Sequence, residues 1–181
     1  MQGREILVAV TGGIAAYKTA TLVSRLVQRG ASVSVMMTRS AEQFVGAATF
    51  SALTNRPVAR EVFDGDSHPL GAHIELTRTA ELLCVAPASA NFLAKAAQGL
   101  ADDLVSTAYL AFQGPVVIAP AMNTQMWNHP AVQRNVTQLQ QDGVLDVPPG
   151  EGWLSCRDQG SGRMAEPEQI LEFIQKHVFQ S

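Results

Sequence analysis

The stretch "ELLCVAPA", residues 81–88, is almost entirely apolar. A second stretch of the same kind, "GPVVIAPA", occupies residues 114–121. Strands that are buried on both faces of a parallel sheet have this nearly continuous apolar character, because helices cover both sides. The two stretches therefore predict the central strands of a parallel sheet.

Shorter β-rich runs alternate with longer helical stretches along the whole chain, which is typical of an α/β protein with a parallel sheet between two helical layers. The predicted strands occupy residues 5–11, 32–38, 81–88, 114–121 and 143–149. The predicted helices occupy residues 15–29, 40–53, 89–98, 102–112, 130–141 and 167–178. The remaining irregular segment, residues 55–71, is expected to form a loop with a short edge strand. The length of 181 residues predicts one domain over residues 1–181.

The composition excludes some classes of partner. Charged residues make up 16% of the chain, against about 25% in an average soluble protein, so we expect part of the surface to be covered in an oligomer. The net charge of −3 and the lack of a basic cluster argue against nucleic acid. No apolar run approaches the roughly 20 residues that cross a bilayer.

The first residues, "MQGREILVAVTGGIAAYK", imitate a signal peptide. Glu5 precedes the apolar run and Gly12 and Gly13 interrupt it, so a strand, a turn and a helix explain the segment better. We therefore expect a cytoplasmic protein. Cys84 lies in an apolar strand and is expected to be a core residue, whereas Cys156, in the irregular stretch "GWLSCRDQGSGRMAEP", stays open as a structural or a reactive thiol.

The ends of the predicted strands carry the chemistry, because ligands of open parallel sheets bind beyond the carboxyl ends of the strands. Small residues there let a ligand approach the backbone, while hydroxyls, amides and helix N-termini supply hydrogen bonds. The four ends are Thr11-Gly12-Gly13, Thr38-Arg39-Ser40, Pro87-Ala88-Ser89-Ala90-Asn91 and Pro120-Ala121-Met122-Asn123. "TGGIAAYK" matches neither GxGxxG nor a Walker A sequence. The second end suits a phosphate ligand such as a mononucleotide, and Arg39 leaves an NADP site as an alternative.

Two polar residues allow both a structural and a functional interpretation. His73, in "GAHIELTR", suits either a structural histidine or a proton-transfer group. Asn123 suits either a helix cap or an amide that binds a carboxylate or a carbonyl group in the crevice. The other three histidines lie in polar or terminal surroundings, and no spacing of histidine with histidine or cysteine fits structural zinc. We therefore expect no metal.

Several motifs resemble those of the flavin-dependent cysteine decarboxylases, in particular the branch that acts in coenzyme A biosynthesis. They are "TGGIAAYK", "GAHIEL", "APASANFLAK", "GLADDLVSTAYLA", "PAMNTQMWNHP" and "CRDQGSGRMAEP", and they follow the family's order over nearly the whole chain. The resemblance implies a Rossmann-like subunit that assembles as a homotrimer or a dodecamer of trimers, with FMN between neighbouring subunits. It also implies 4′-phosphopantothenoylcysteine as substrate and 4′-phosphopantetheine as product. Some relatives carry a ligase domain as well, and this sequence ends before one.

The resemblance also implies a role for individual residues. His73 would assist proton transfer at the substrate thiol, and Cys156, on a loop that covers the substrate, would protonate the enethiolate that remains after loss of carbon dioxide. Substrate binding would fall to Asn123, Met122 and Arg163, with Asn123 on the carboxylate. Contacts with FMN would come from Gly12, Gly13, Ile14, Thr38, Ser40, Ser89, Ala90, Asn91, Phe92 and Ala121. The family often has glycine after the loop cysteine, where this chain has Arg157.

Three alternatives remain open on the sequence alone. A peptidyl-cysteine decarboxylase of the lantibiotic type would stop at the enethiol and need no reducing step. A flavin-binding regulatory protein would keep the fold without turnover, although both His73 and Cys156 are present here. An NADP reductase is favoured only by Arg39, since no Tyr-x-x-x-Lys sequence of the short-chain type occurs.

Overall fold

A five-stranded parallel sheet forms the centre of the protein. The structure is a computed structural model, and it describes residues 1–63, 69–155 and 157–179. The strands, in the spatial order β2-β1-β3-β4-β5, are β1 (Glu5–Val10), β2 (Ser32–Met37), β3 (Leu82–Ala88), β4 (Val116–Pro120) and β5 (Leu145–Asp146). All five predicted strands are confirmed, the fifth as a two-residue strand only.

Helices cover both faces of this sheet, which confirms the three-layer α/β prediction. In chain order they are α1 (Ala16–Gln28), α2 (Ala47–Thr54), α3 (Ala72–Thr79), α4 (Ala90–Gln98), α5 (Leu104–Ala111), α6 (Thr124–Trp127), α7 (Pro130–Gln141) and α8 (Pro167–Ile174). One apolar cluster joins the sheet to α1, α2 and α8. The other cluster joins it to α3, α4, α5 and α7.

Strand β3 contributes side chains to both apolar clusters. All seven of its residues are buried, between β1 on one side and β4 on the other. Its side chains alternate between the layers, so that Leu82 and Cys84 enter one cluster and Leu83 and Val85 the other. Cys84 is fully buried, as predicted for a core residue.

The segment between β2 and β3 differs from its prediction. The helix predicted over residues 40–53 is a 3₁₀ turn (Ala41–Gln43) followed by α2, because Gly46 takes an extended conformation between them. His73 lies in the unpredicted helix α3, whose eight residues are too few for a clear helical periodicity. The expected edge strand is a single bridge between Met36 and Ala59, and residues 64–68 of the predicted loop lie outside the described residues.

The stretch expected to be irregular near the C-terminus contains an antiparallel hairpin, so this prediction was wrong. Its strands are β6 (Gly150–Trp153) and β7 (Gln159–Arg163). Glycine disfavours strands, so the glycines of this stretch concealed the sequence pattern of its two strands. Here the glycines allow close packing, since a Cβ on Gly160 would overlap the Thr124 hydroxyl and one on Gly162 would overlap the Met122 carbonyl oxygen.

The Thr11 hydroxyl joins the carboxyl ends of β1 and β3. It donates a hydrogen bond to the Pro87 carbonyl at 2.6 Å and accepts one from the Ser89 amide at 2.9 Å. Thr11→Val keeps the shape but leaves both backbone groups without this partner, so we expect the free energy of unfolding to fall by about 2 kcal/mol. Urea denaturation measures this change.

The matched control is Thr79→Val, because Thr79 is exposed at the end of α3 and its hydroxyl donates, among the described residues, only to the Leu76 carbonyl at 3.4 Å. We expect it to change the free energy of unfolding by less than about 0.5 kcal/mol. Equal effects of the two substitutions would contradict a special role of the Thr11 hydroxyl.

Burial raises the pKa of the Cys84 thiol to about 12. The thiolate is the reactive form. In a Cys156→Ser background, where Cys84 is the single cysteine left, we therefore expect no alkylation by iodoacetamide in the native state at about pH 8. Mass spectrometry should show complete alkylation after denaturation, and rapid native labelling would contradict the burial of this thiol.

Candidate functional site

A cleft of about 610 Å³ opens at the carboxyl edge of the sheet. This volume lies within the range of ordinary ligand pockets. Its walls come from the β1–α1 turn, the start of α4, the β4–α6 turn and the hairpin. The lining residues are Gly12, Gly13, Ile14, Ala15, Tyr17, Lys18, Ser89, Ala90, Ala121, Met122, Asn123, Met126, Trp153, Leu154, Ser155, Gly162, Arg163 and Met164.

The β1–α1 turn forms a wall of small residues. A Cβ on Gly12 would lie 2.6 Å from the Ser40 Cβ, so only glycine fits between the turn and the segment after β2. Gly13 has more room, and the Ile14 side chain is half exposed at the cleft. Helix α1 begins here without a side-chain cap, and a helix N-terminus favours anions.

Thr38 and Ser40 lie beside the cleft and are not part of its lining. The Thr38 hydroxyl accepts a hydrogen bond from the Ala41 amide at 3.3 Å. Ser40 is exposed and borders Gly12, so the hydroxyl group lies next to the β1–α1 turn.

The start of α4 contributes Ser89 and Ala90 to the cleft. The Ser89 hydroxyl caps the helix by accepting a hydrogen bond from the Phe92 amide at 3.3 Å. Asn91 is exposed outside the lining. The Phe92 side chain is 3% exposed and packs edge-on against Tyr109 with ring centroids 5.8 Å apart, so the ring belongs to the core below the cleft.

Asn123 combines the two roles that the sequence left open. Its side-chain oxygen caps α6 by accepting a hydrogen bond from the Met126 amide at 2.8 Å. It also lines the cleft together with Ala121 and Met122. Within residues 1–63, 69–155 and 157–179 its Nδ2 has no hydrogen-bond partner, so the cap fixes the side chain while the amide group can still donate to a ligand.

His73 stands apart from the cleft lining. It lies in the first turn of α3, which leads into β3 and therefore starts near the carboxyl edge of the sheet. Its Nδ1 atom is buried and finds no partner in the part of the chain that the structure describes. A Cβ on Gly71 would lie 3.1 Å from the imidazole Cε1, so Gly71 leaves space for the ring.

Cys156 lies outside the described residues. Its neighbour Ser155 lines the cleft. Arg157, which follows it, has a φ of 70° in the left-handed region that glycine adopts more readily.

Nine lining residues were not among the predicted site residues: Ala15, Tyr17, Lys18, Met126, Trp153, Leu154, Ser155, Gly162 and Met164. Lys18 is the most informative of them, because it is 5% exposed on the buried side of α1. A lysine among the apolar positions of an amphipathic helix is the signal that was available, since lysine is almost never buried without a partner. The hydrophobic residues of the hairpin gave no such signal.

The partners of Lys18 come from the chain after the hairpin. Its Nζ donates hydrogen bonds to the Met164 carbonyl at 3.0 Å and to Glu166 Oε1 at 2.9 Å. The hydrogen bond from Lys18 and the charges of Lys18 and Arg163 hold the pKa of Glu166 below its usual value, against the opposing effect of burial. Glu166 therefore stays ionised at more acidic pH than a free glutamate does.

The cleft suits an anionic ligand with an apolar part. Lys18 and Arg163 are cationic, and no aspartate or glutamate is found in its lining within the described residues. The same residues contain no group of three or more histidine, cysteine, aspartate or glutamate side chains that could hold a metal. No helix among them has the length and apolar character needed to span a bilayer.

Comparisons with known proteins give the family. The sequence matches the Flavoprotein family over residues 1–179. The chain is 46% identical over 177 residues to the coenzyme A biosynthesis bifunctional protein CoaBC of Bacillus subtilis (strain 168). The matched region covers 98% of this chain and 44% of that protein. It thus spans less than half the length of this curated relative.

Two solved structures have the same fold. A cysteine-to-serine mutant of PPC decarboxylase, complexed with pantothenoylaminoethenethiol, has a TM-score of 0.87 at 31% identity over 99% of this chain and 100% of that one. The FMN-dependent cysteine decarboxylase SpaF has a TM-score of 0.80 at 32% identity over 94% of this chain and 97% of that one. The family match over nearly all residues, together with these similarities, shows that this chain belongs to the Flavoprotein family.

Proposed function

We propose that this chain is an FMN-dependent enzyme that decarboxylates 4′-phosphopantothenoylcysteine to 4′-phosphopantetheine in coenzyme A biosynthesis. The observation that carries the proposal is the cleft, which brings Asn123 and two cations together beside the β1–α1 turn. The likeness to CoaBC and to PPC decarboxylase supports the substrate, and the likeness to SpaF supports the cofactor.

The residues around the β1–α1 turn fit FMN. Gly12 and Gly13 carry no side chains, and Ser89, Ala90 and Ala121 are small, so a flat ring system can approach the backbone. The uncapped N-terminus of α1 and the nearby Ser40 hydroxyl suit the phosphate. FMN would supply the reversible two-electron chemistry at the cysteinyl group, which no amino-acid side chain provides.

Asn123 is the residue best suited to orient the substrate carboxylate. Its cap on α6 fixes the side chain, and Nδ2 remains a neutral donor. An ion pair would stabilise the carboxylate before it is lost and would raise the barrier, whereas an amide orients it with less ground-state stabilisation. The carbon–carbon bond then breaks to release carbon dioxide.

Proton transfer falls to two residues in this proposal. His73 takes up or donates the proton at the substrate thiol, a role that suits imidazole near neutral pH. Cys156 donates the proton to carbon that must accompany reduction of the enethiolate double bond, for which reduced FMN would return the two electrons taken from the cysteinyl group. Ser155 lines the cleft, so the segment before this cysteine borders the proposed substrate site.

His73 lies outside the cleft lining of its own subunit, so we further propose a homotrimer or a dodecamer of trimers in which a neighbouring subunit completes the site. Large apolar side chains are exposed around the mouth of the cleft, among them Ile14, Tyr17 and Trp153. An oligomer would cover such a surface. We place the enzyme in the cytoplasm and treat residues 1–181 as one domain, which the family match over residues 1–179 supports.

The purified protein is expected to be yellow, to release FMN on denaturation and to convert 4′-phosphopantothenoylcysteine to 4′-phosphopantetheine with one carbon dioxide per product. Chromatography and mass spectrometry measure both molecules. A peptide that ends in cysteine is the comparison substrate. Turnover of the peptide alone would favour a peptidyl-cysteine decarboxylase, and a flavin-bound protein that converts neither would favour a regulatory role.

Cys156→Ser is expected to release carbon dioxide and to accumulate the enethiol, because serine is a much weaker acid than cysteine and poorly supplies the proton to carbon that the reduction of the double bond requires. Mass spectrometry distinguishes the enethiol from 4′-phosphopantetheine by two hydrogens. The complex of a cysteine-to-serine PPC decarboxylase mutant with pantothenoylaminoethenethiol supports this expectation. The matched control is Ser155→Ala, which keeps Cys156, and normal product at the native rate from Cys156→Ser would contradict the role.

A further inference from the structure

One carboxylate oxygen at the edge of the cleft is shared by two cations. Glu166 Oε1 accepts a hydrogen bond from Lys18 Nζ at 2.9 Å and another from Arg163 Nη2 at 2.8 Å. Both cations line the cleft, whereas Glu166 does not. The three side chains together carry one excess positive charge.

Lys18 is the fixed member of this group. Its side chain is 7% exposed and makes a second hydrogen bond to the Met164 carbonyl. If the Lys18 ammonium moved away from Glu166, it would be a buried cation without a carboxylate, and such an unpaired buried charge is strongly unfavourable. Lys18 therefore fixes the position of Glu166 from inside the protein.

The backbone of Glu166 is fixed as well. The residue is the N-cap of α8, and its amide donates a hydrogen bond to Gln169 Oε1 at 2.8 Å in a capping box. Glu166 is thus held by the helix on one side and by the buried lysine on the other. Such a carboxylate can orient a more mobile partner.

Arg163 is that partner. Its side chain is 43% exposed at the end of β7, and its guanidinium group lies over Gly152 on the neighbouring strand. A Cβ on Gly152 would lie 3.1 Å from Nη1, so the missing side chain provides the space for this group. Arginine has five N–H donors, and among the described residues only Nη2 has a partner, Glu166.

We propose that Glu166 is a positioning residue that holds the Arg163 guanidinium at the cleft as its anion-binding group, in the space that Gly152 leaves. The ligand is an anionic oxygen group of the substrate, namely its phosphate, because the carboxylate is assigned to the neutral amide of Asn123. This inference rests on the proposed function for the substrate. Glu166 uses one donor of Arg163 and leaves the others to the ligand, and Lys18 balances the carboxylate so that the ligand meets a net positive charge.

The test is equilibrium binding of 4′-phosphopantothenoylserine, in which a hydroxyl replaces the reactive thiol, to the FMN-saturated protein. Calorimetry gives its Kd for the wild type, Arg163→Ala, Glu166→Gln and the double variant. We expect Arg163→Ala to raise the Kd about 10-fold, since a charge-assisted hydrogen bond is lost. Glu166→Gln should raise it about 3-fold or more, because the guanidinium is no longer held in place.

The double variant separates positioning from structural support. If Glu166 acts through Arg163, Glu166→Gln should have less than about a twofold effect in the Arg163→Ala background. An equal loss of affinity in both backgrounds would overturn the proposal, because it would show that Glu166 acts through Lys18 or α8. Tighter binding by Glu166→Gln would also overturn it, since Glu166 would then compete with the ligand.

Gly152→Ala provides an independent variant that keeps all charges. Its Cβ should displace the guanidinium and raise the Kd only when Arg163 is present. Because Gly152 has a φ of 154°, where alanine is strained, any loss that comes from the backbone should appear equally in the Arg163→Ala background. An unchanged Kd for Gly152→Ala in the wild-type background would overturn the role of Gly152. Glu168→Gln is the matched control, because Glu168 also lies in the first turn of α8 but pairs with Arg25 and Arg29 away from the cleft.

Pantothenoylserine, which lacks the phosphate, identifies the anion. A loss of the Arg163 effect with this ligand is expected and assigns the guanidinium to the phosphate, whereas a retained effect would overturn that assignment and place the cation on the carboxylate. Coupling between Arg163 and Glu166 in a protein that does not decarboxylate would support this inference and contradict only the proposed function. Failure of the wild type to bind either ligand would overturn the inference as well.

Discussion

Burial of β3 on both faces places the polar chemistry of this protein at the ends of its strands. A strand whose seven residues are all buried can satisfy its backbone only through neighbouring strands, and its side chains must be apolar. Hydroxyl and amide groups can therefore appear only where the strand ends. Thr11 and Ser89 meet at that point and join the first two walls of the cleft by hydrogen bonds.

This constraint explains why the strands and the first walls of the cleft were predictable. Continuous apolar runs such as residues 81–88 and 114–121 indicate strands that are buried on both faces. The small polar residues that follow them indicate the edge of the sheet at which ligands bind. Gly12, Ser89 and Asn123 line the cleft, and each of them lies just after the end of a predicted strand.

The missed features depend on contacts between distant parts of the chain. The hairpin escaped prediction because glycine disfavours strands, and the glycines of β7 are explained by the close approach of Thr124 and Met122. Helix α3 was missed because eight residues give little periodicity.

The need of buried polar groups for partners also explains the position of the hairpin, the fourth wall of the cleft, through Lys18. A lysine that is 5% exposed needs a partner, and its partners lie more than 140 residues away, at Met164 and Glu166. The hydrogen bonds fix the chain just after β7 against α1, while the Met122 amide bonds the Gly162 carbonyl at 3.0 Å. The hairpin is therefore tied to both α1 and the β4–α6 turn, so the walls of the cleft depend on contacts between the last part of the chain and the first. A ligand that fills the cleft contacts all of these segments at once and should stabilise the complete fold rather than one wall.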